Sequence, residues 1–469
     1  MADFRILDKD LDRLSNAQSA GLHSARPVVR LGIAVLFVAL VAVALSGGPL
    51  GPAAPGVLIA AAAGAGAFLA LSIGANDVAN SLGPAVGAGA LPLGAGLAAV
   101  AVMEVAGAVL AGGQVSQTLT HGILAAEAMT SGAQAGVVML AAMLAAAAWI
   151  TLATWAGAPV STTHAIVGGI AGAGMVAFGA GAVNWGGVAR IALGWVGSPV
   201  LSAALAASVL ALLRARVHRA PDRLAAARRW LPWLVAAMTA LLLVYAASFL
   251  PLPGWAVAAL ALAGTGAALW DTHRRLAAPP DPRLSENKQL NRLFGPPLAA
   301  SALLMGFGHG ANDSANIAGP LAVIAQAGSV GSMGALSPWL LMLAGLGIAL
   351  GAALFGRRLV RMVGSRITRL SPVRALCVSL ATAVTVLTAS RLGLPVSTTH
   401  IAVGGVFGVG FYREWEERRH RARLAPLPVE ERRRRRLVRR GHVVRTLAAW
   451  LVTVPAVAAL AALIAALIG

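Results

Sequence analysis

Apolar residues run along this chain in stretches of about twenty, without the strict alternation expected of half-buried strands. The stretches fall at 29–47, 56–82, 93–113, 134–156, 163–181, 188–213, 231–250, 254–270, 296–318, 336–355, 375–393, 399–411 and 444–467. About 20 apolar residues cross the bilayer core as a helix, whereas a barrel strand needs about 10 in alternation. Some stretches are too short or too broken for a simple crossing, so broken or re-entrant helices are expected among them. The predicted fold class is an all-α polytopic membrane protein with about 12–13 hydrophobic segments.

Polar residues inside those stretches are few and patterned. Gly74-Ala75-Asn76-Asp77-Val78-Ala79-Asn80-Ser81 places a carboxylate and two carboxamides in an apolar run, and Gly310-Ala311-Asn312-Asp313-Ser314-Ala315-Asn316 repeats it. An ionisable residue at membrane depth is costly and marks a functional site. A second motif, Pro159-Val160-Ser161-Thr162-Thr163-His164, is identical to Pro395-Val396-Ser397-Thr398-Thr399-His400. Both pairs are 236 residues apart (313 − 77 and 395 − 159), and Gly83-Pro84 with Gly319-Pro320 keeps that register. Two motifs that preserve their spacing without a gap indicate internal duplication.

The copies are predicted to face opposite ways. The segment carrying Asp77 follows the first span, so it starts outside; the segment carrying Asp313 follows a basic linker, so it starts inside. The loop His121–Ala133, which has no Lys or Arg, corresponds to the basic loop Arg357–Arg369. This is an inverted-topology repeat, which in secondary transporters sets the binding site near the midplane between the halves.

Composition agrees with the pattern. The chain is 58% hydrophobic and 12% charged, against roughly 25% charged in soluble domains. Between Leu31 and Ala189 there is no Lys or Arg, and the acids are Asp77, Glu104 and Glu127. The net charge of +20 is concentrated in Arg214–Arg229, Arg274–Arg292, Arg357–Arg374 and Arg413–Arg445. Such loops between spans read as cytoplasmic topology signals, not as a nucleic-acid surface. The span count then puts the N-terminus inside and the C-terminus outside. Cys377 stands alone, which excludes an intrachain disulfide. The expected organisation is a cytoplasmic segment 1–28, a first span plus repeat 29–213, basic loops with two connecting spans 214–292, and a second repeat 293–467. That last repeat contains the Arg-rich cytoplasmic loop 413–445.

Each motif suggests a chemistry. Proline followed by hydroxyl residues and an apolar run reads as a helix start inside the bilayer. A helix N-terminus offers free N–H groups and a positive dipole end, hence an anion site. Ser161, Thr162, Thr163, Ser397, Thr398 and Thr399 are the candidate anion ligands. Gly74 and Gly310 permit a break or a close approach. Asn76, Asp77, Asn80, Asn312, Asp313 and Asn316 supply oxygen ligands for a coupling cation, Na⁺ or H⁺. Glu104 has no acidic counterpart, position 340 being leucine, and Gln114, Gln117, His164, His309, Arg391 and His400 receive no assigned role.

In these motifs, covering about residues 56–213 and 293–467, the chain resembles the inorganic phosphate transporter (PiT) family. The resemblance implies cation-coupled phosphate uptake on an inverted-repeat helical fold, coupled to Na⁺ in some members and to H⁺ in others. It implies that the motif aspartates, asparagines and hydroxyls build the sites. Ser371-Pro372-Val373-Arg374-Ala375 departs from the Thr-Pro stretch and acidic residue of many relatives.

The reading is a secondary transporter, not an enzyme, importing inorganic phosphate across the cytoplasmic (inner) membrane. No cofactor is expected beyond the coupling ion and the lipid bilayer, and a homodimer is compatible with it. Another tetrahedral oxyanion such as sulfate is the nearest alternative. An intramembrane aspartyl protease is a distant one that leaves the duplicated hydroxyl motifs unexplained.

Overall fold

The computed structural model describes residues 27–43, 56–129, 131–158, 160–279, 281–326, 338–362, 370–421 and 440–469. Among these residues the regular elements are helical, and extended pairing is limited to an isolated bridge between Leu124 and Val183. In chain order the helices begin with α1 (Pro27–Val43), α2 (Gly56–Gly87), α3 (Leu93–Ala111), α4 (Gly113–His121), α5 (Ala126–Met129) and α6 (Ala133–Ala156). They continue with α7 (Thr162–Phe178), α8 (Trp185–Leu213), α9 (Arg223–Ala247), α10 (Gly254–Leu276), α11 (Glu286–Leu293) and α12 (Gly295–Asp313). The last are α13 (Ala315–Gln326), α14 (Pro338–Phe355), α15 (Arg357–Met362), α16 (Pro372–Arg391), α17 (Thr398–Arg421) and α18 (Arg440–Ile468).

Eight of the described helices are long and apolar enough to cross a membrane: α2, α3, α6, α8, α9, α14, α16 and α18. The chain is therefore a multi-pass membrane protein. The expected span 163–181 is the shorter α7, and the expected span 296–318 is divided at Ser314 between α12 and α13. Nearly all of the expected segment 1–28 and much of loop 413–445 lie outside the described residues.

Packing exchanges helices between the halves. α2 lies on α14 and α12 on α3, while α7 lies on α18 and α17 on α8. Gly168 and Gly172 face Val454 and Ala458, and Gly404 and Gly408 face Pro199 and Ala203. The glycines keep the 236-residue shift, whereas their partners on α8 and α18 are related by 255 (454 − 199). Each of these glycine contacts in one half thus has a counterpart in the other. Lipid is as apolar as leucine, so helices associate in it through close packing of small residues such as these.

The contacts also give direction. Ala70, Leu71 and Val78 of α2 meet Gly347 and Gly351 of α14 and the following Gly356, so these helices run parallel. Gly306, Gly310 and Ser314 meet Val100, Glu104 and Gly112, so α12 runs parallel to α3. α3 itself follows α2 after the short connection 88–92. At Gly74 an added Cβ would strike the Ile348 carbonyl, and at Gly310 it would strike the Glu104 backbone. The motif glycines therefore serve close approach, and α2 is continuous through Gly74–Ser81.

One apolar core gathers residues from α2, α4, α6, α7, α13, α14 and α18. A second gathers α8, α9, α12, α16 and α17. On one face Glu416 of α17 pairs with Arg214 and, at 2.9 Å, with Arg219, both just beyond α8.

Candidate functional site

The duplicated hydroxyl motif is shaped by glycines. Gly157 and Gly393 follow α6 and α16 with φ of 74° and 67°, a left-handed backbone that glycine adopts without a Cβ penalty. α7 and α17 then begin at Thr162 and Thr398. Ser161 Oγ accepts from the His164 amide at 3.1 Å, and Ser397 Oγ accepts from the His400 amide at 3.3 Å. Both serines are thus N-caps, which satisfies one of the free donors at each helix start.

The first asparagine of each Asn-Asp motif holds the backbone of that loop. Asn76 Oδ1 accepts from Val160 N at 3.4 Å, and Asn312 Oδ1 accepts from Val396 N at 3.2 Å. Asn312 Nδ2 also donates to the Val396 carbonyl at 2.8 Å, and Asn76 Nδ2 donates to Thr154 Oγ1 at 2.8 Å. The halves are then cross-stitched. Thr163 Oγ1 donates to the Val396 carbonyl (2.9 Å), and Thr399 Oγ1 donates to the Val160 carbonyl (3.4 Å).

The two aspartates meet in the same buried cluster. Asp77 accepts from Thr162 (3.2 Å) of its own half and from Thr398 and Thr399 (3.4 Å each) of the other. Asn80 Nδ2 donates to Thr399 Oγ1 at 2.9 Å. Asp313 Oδ1 accepts from Asn312 (2.7 Å) and Asn316 (3.4 Å), and His309 Nε2 lies 2.9 Å from Asp313 Oδ2. One ligand atom each of Asp77, His309 and Asp313 falls within a 4.8 Å group.

This donor set fits a small hard cation, which takes oxygen ligands. Besides the carboxylates, the buried side-chain oxygens of Asn316, Ser81 and Ser314 have no hydrogen-bond partner among the described residues. Pro84 and Pro320 stand four residues after Asn80 and Asn316 inside helices. Lacking N–H, each proline removes the donor that the asparagine carbonyl would otherwise use. The sequence allowed a chain break at each motif as the source of free carbonyls. In the first copy the helix stays unbroken, and only the second copy is interrupted, at Ser314.

All twelve candidate residues are drawn into this region, where α2, α7, α12, α13 and α17 converge. Their roles differ, since Ser161 and Ser397 are caps and the amide oxygens of Asn76 and Asn312 bind backbone. Two further groups were not assigned by sequence reasoning. Glu104 of α3 sits 2.7 Å from His309 Nδ1, and both side chains are fully buried. A costly acid in an apolar run was the available signal. A ring cluster is the other: His164 and His400 meet edge to face at 4.4 Å, with Trp195 3.8 Å from His164 and Trp450 stacked at 3.5 Å on His400.

A bundle of membrane-crossing helices whose duplicated halves meet at a buried cluster of acids, amides and hydroxyls is built as a solute transporter. Residues 73–461 match the phosphate transporter family, and the chain belongs to that family. It is 38% identical over 428 residues to the Helicobacter pylori protein named "Putative phosphate permease", covering 89% of this chain and 80% of that one. It is 36% identical over 433 residues to "Inorganic phosphate transporter 2-1, chloroplastic" of Arabidopsis thaliana, covering 84% and 70%. A solved structure, "The sodium-dependent phosphate transporter", superposes with a TM-score of 0.78 at 33% identity, covering 88% of this chain and 98% of that one.

Proposed function

We propose that this protein imports inorganic phosphate across the cytoplasmic membrane together with a cation, and that the cation is Na⁺. The observation that carries the proposal is the shared Asp77, which accepts hydroxyls from Thr162 in one half and from Thr398 and Thr399 in the other. Those threonines, with Thr163 and the starts of α7 and α17, would hold the anion. Asp77, Asp313, Asn80 and Asn316 would hold the cation, while Asn76 and Asn312 frame the loops. The sodium-dependent structural neighbour supports the choice of Na⁺.

Coupling follows from competition for the same hydroxyls. With no cation bound, Asp77 engages the threonine donors and its charge opposes an incoming anion. A cation at the aspartates neutralises that charge and releases the hydroxyls to phosphate. Two states of one cluster then differ in affinity for both solutes, which is what linked binding requires.

The parallel pairing of α12 with α3, which returns from α2, supports opposite orientations for α2 and α12, and so an inverted repeat. The Glu416 ion pairs support a common face for the basic regions around 214–229 and 413–421, which we assign to the cytoplasm.

The test is uptake of labelled phosphate into proteoliposomes under imposed Na⁺ and pH gradients, applied separately. Accumulation driven by the Na⁺ gradient is expected. Accumulation only with the pH gradient would replace Na⁺ by H⁺, and none with either would refute the reading. Unlabelled sulfate should compete poorly, because HPO₄²⁻ can donate a proton to a carboxylate and SO₄²⁻ cannot.

A further inference from the structure

Apart from the aspartate–threonine cluster, a cavity of about 610 Å³ opens beside Gly393 and Leu394. Its polar lining comes from Gln114, Gln117, Thr118, His121, Arg190 and Arg391, and among the described residues no carboxylate lines it. Neither arginine has a carboxylate within ion-pair distance among the described residues. Gln114 orients Arg391: with its amide turned to satisfy both groups, it accepts from Arg391 Nη1 at 3.1 Å and donates to the Arg391 carbonyl at 2.7 Å. The guanidinium also sits 4.9 Å over the Phe249 ring.

Two of the lining residues tie the cavity to the loop that leads into α17. Thr118 Oγ1 donates to the Gly393 carbonyl at 2.6 Å, and Val396, three residues on, is the backbone group bound by Asn312 and Thr163. Arg190 lies near the start of α8 and Arg214 just past its end. Those 24 residues span roughly 36 Å of helix, about a bilayer thickness. The cavity therefore lies at the opposite end of α8 from the Glu416 ion pairs. Unpaired arginines in a recess without acids attract oxyanions and raise their local concentration.

We propose that this cavity is a collecting site for inorganic phosphate on the face opposite the Arg214–Glu416 contact. Arg190, Arg391 and His121 hold the oxyanion before it passes to the threonines. The inference rests on the phosphate reading of the inner cluster. A lipid phosphate offers the same chemistry, so the experiment separates the two sources.

Labelled phosphate uptake is measured in proteoliposomes at varied phosphate and ionic strength for wild type, Arg190→Gln, Arg391→Gln, the double variant and Arg391→Lys. The double variant should raise KM about 5- to 20-fold at low salt with saturating turnover within about twofold of wild type. Its KM should lose the rise with ionic strength that screening imposes on wild type, and Arg391→Lys should recover most of the affinity. A double variant with wild-type KM and salt response, or with reduced turnover alone, overturns the proposal. A KM shift that vanishes in vesicles lacking anionic lipid assigns the arginines to headgroups and also overturns it. Absence of uptake by wild type would instead defeat the phosphate reading itself.

Discussion

Replacing Asp77 with asparagine isolates the electrostatic core of the coupling scheme. Thr162 Oγ1 is 3.2 Å from Asp77 Oδ2. A phosphate oxygen accepting from the same hydroxyl adds one bond of about 2.8 Å, so anion and carboxylate are at most about 6 Å apart. At an effective dielectric near 20, a single charge and a dianion at that distance repel by roughly 5.5 kcal/mol. Doubling the dielectric for a hydrated cluster leaves roughly 2.8 kcal/mol, still about a hundredfold in affinity. Phosphate binding to the purified wild-type protein should thus strengthen by about a hundredfold or more between Na⁺-free and saturating Na⁺ buffers. In Asp77→Asn the dependence should shrink below about tenfold, and Na⁺-driven accumulation in proteoliposomes should cease. Equilibrium binding of labelled phosphate with and without Na⁺ reads both numbers. A variant that keeps the full Na⁺ dependence and accumulates phosphate uphill would remove Asp77 from the coupling.

Other perturbations test separate links. Thr398→Val or Thr399→Val should weaken phosphate binding by about 1.5–3 kcal/mol, the worth of a hydrogen bond to a charged group; binding isotherms at saturating Na⁺ check this. Gly310→Val should force α12 off α3, because its Cβ meets the Glu104 backbone, and overpacking of this kind costs about 1–3 kcal/mol or more. Its expected signature is a lower melting temperature in detergent with loss of the monodisperse peak on gel filtration. Glu104→Gln should shift the Na⁺ concentration for half-maximal uptake by more than about threefold while protein yield holds, because it changes the His309–Asp313 contact without emptying space.

Much of the candidate cluster was legible because the duplication preserved its spacing. The 236-residue offset paired Asp77 with Asp313 and Thr163 with Thr399, and the structure brings these residues into one cluster. The same offset concealed other relations. α3 and α14 correspond only after a further shift of about eight residues, and α8 and α18 only at 255. Trp195 and Trp450 therefore do not register as a pair in the sequence, although they flank His164 and His400 alike. Glu104 was visible as a costly acid, but its partner His309 lies on another helix and has isoleucine as its counterpart. A glycine in a helix permits either a kink or a close neighbour, and only tertiary packing decides between them. At Gly74 the α14 backbone occupies that space, so α2 runs on unbroken.

An experimental density map of the protein with phosphate and Na⁺ would show where both solutes sit. A tetrahedral anion should lie between the first turns of α7 and α17, touching Thr162 or Thr163 from one half and Thr398 or Thr399 from the other, with a cation at Asp77 or Asp313. An anion held wholly within one half, away from both aspartates, would contradict the account.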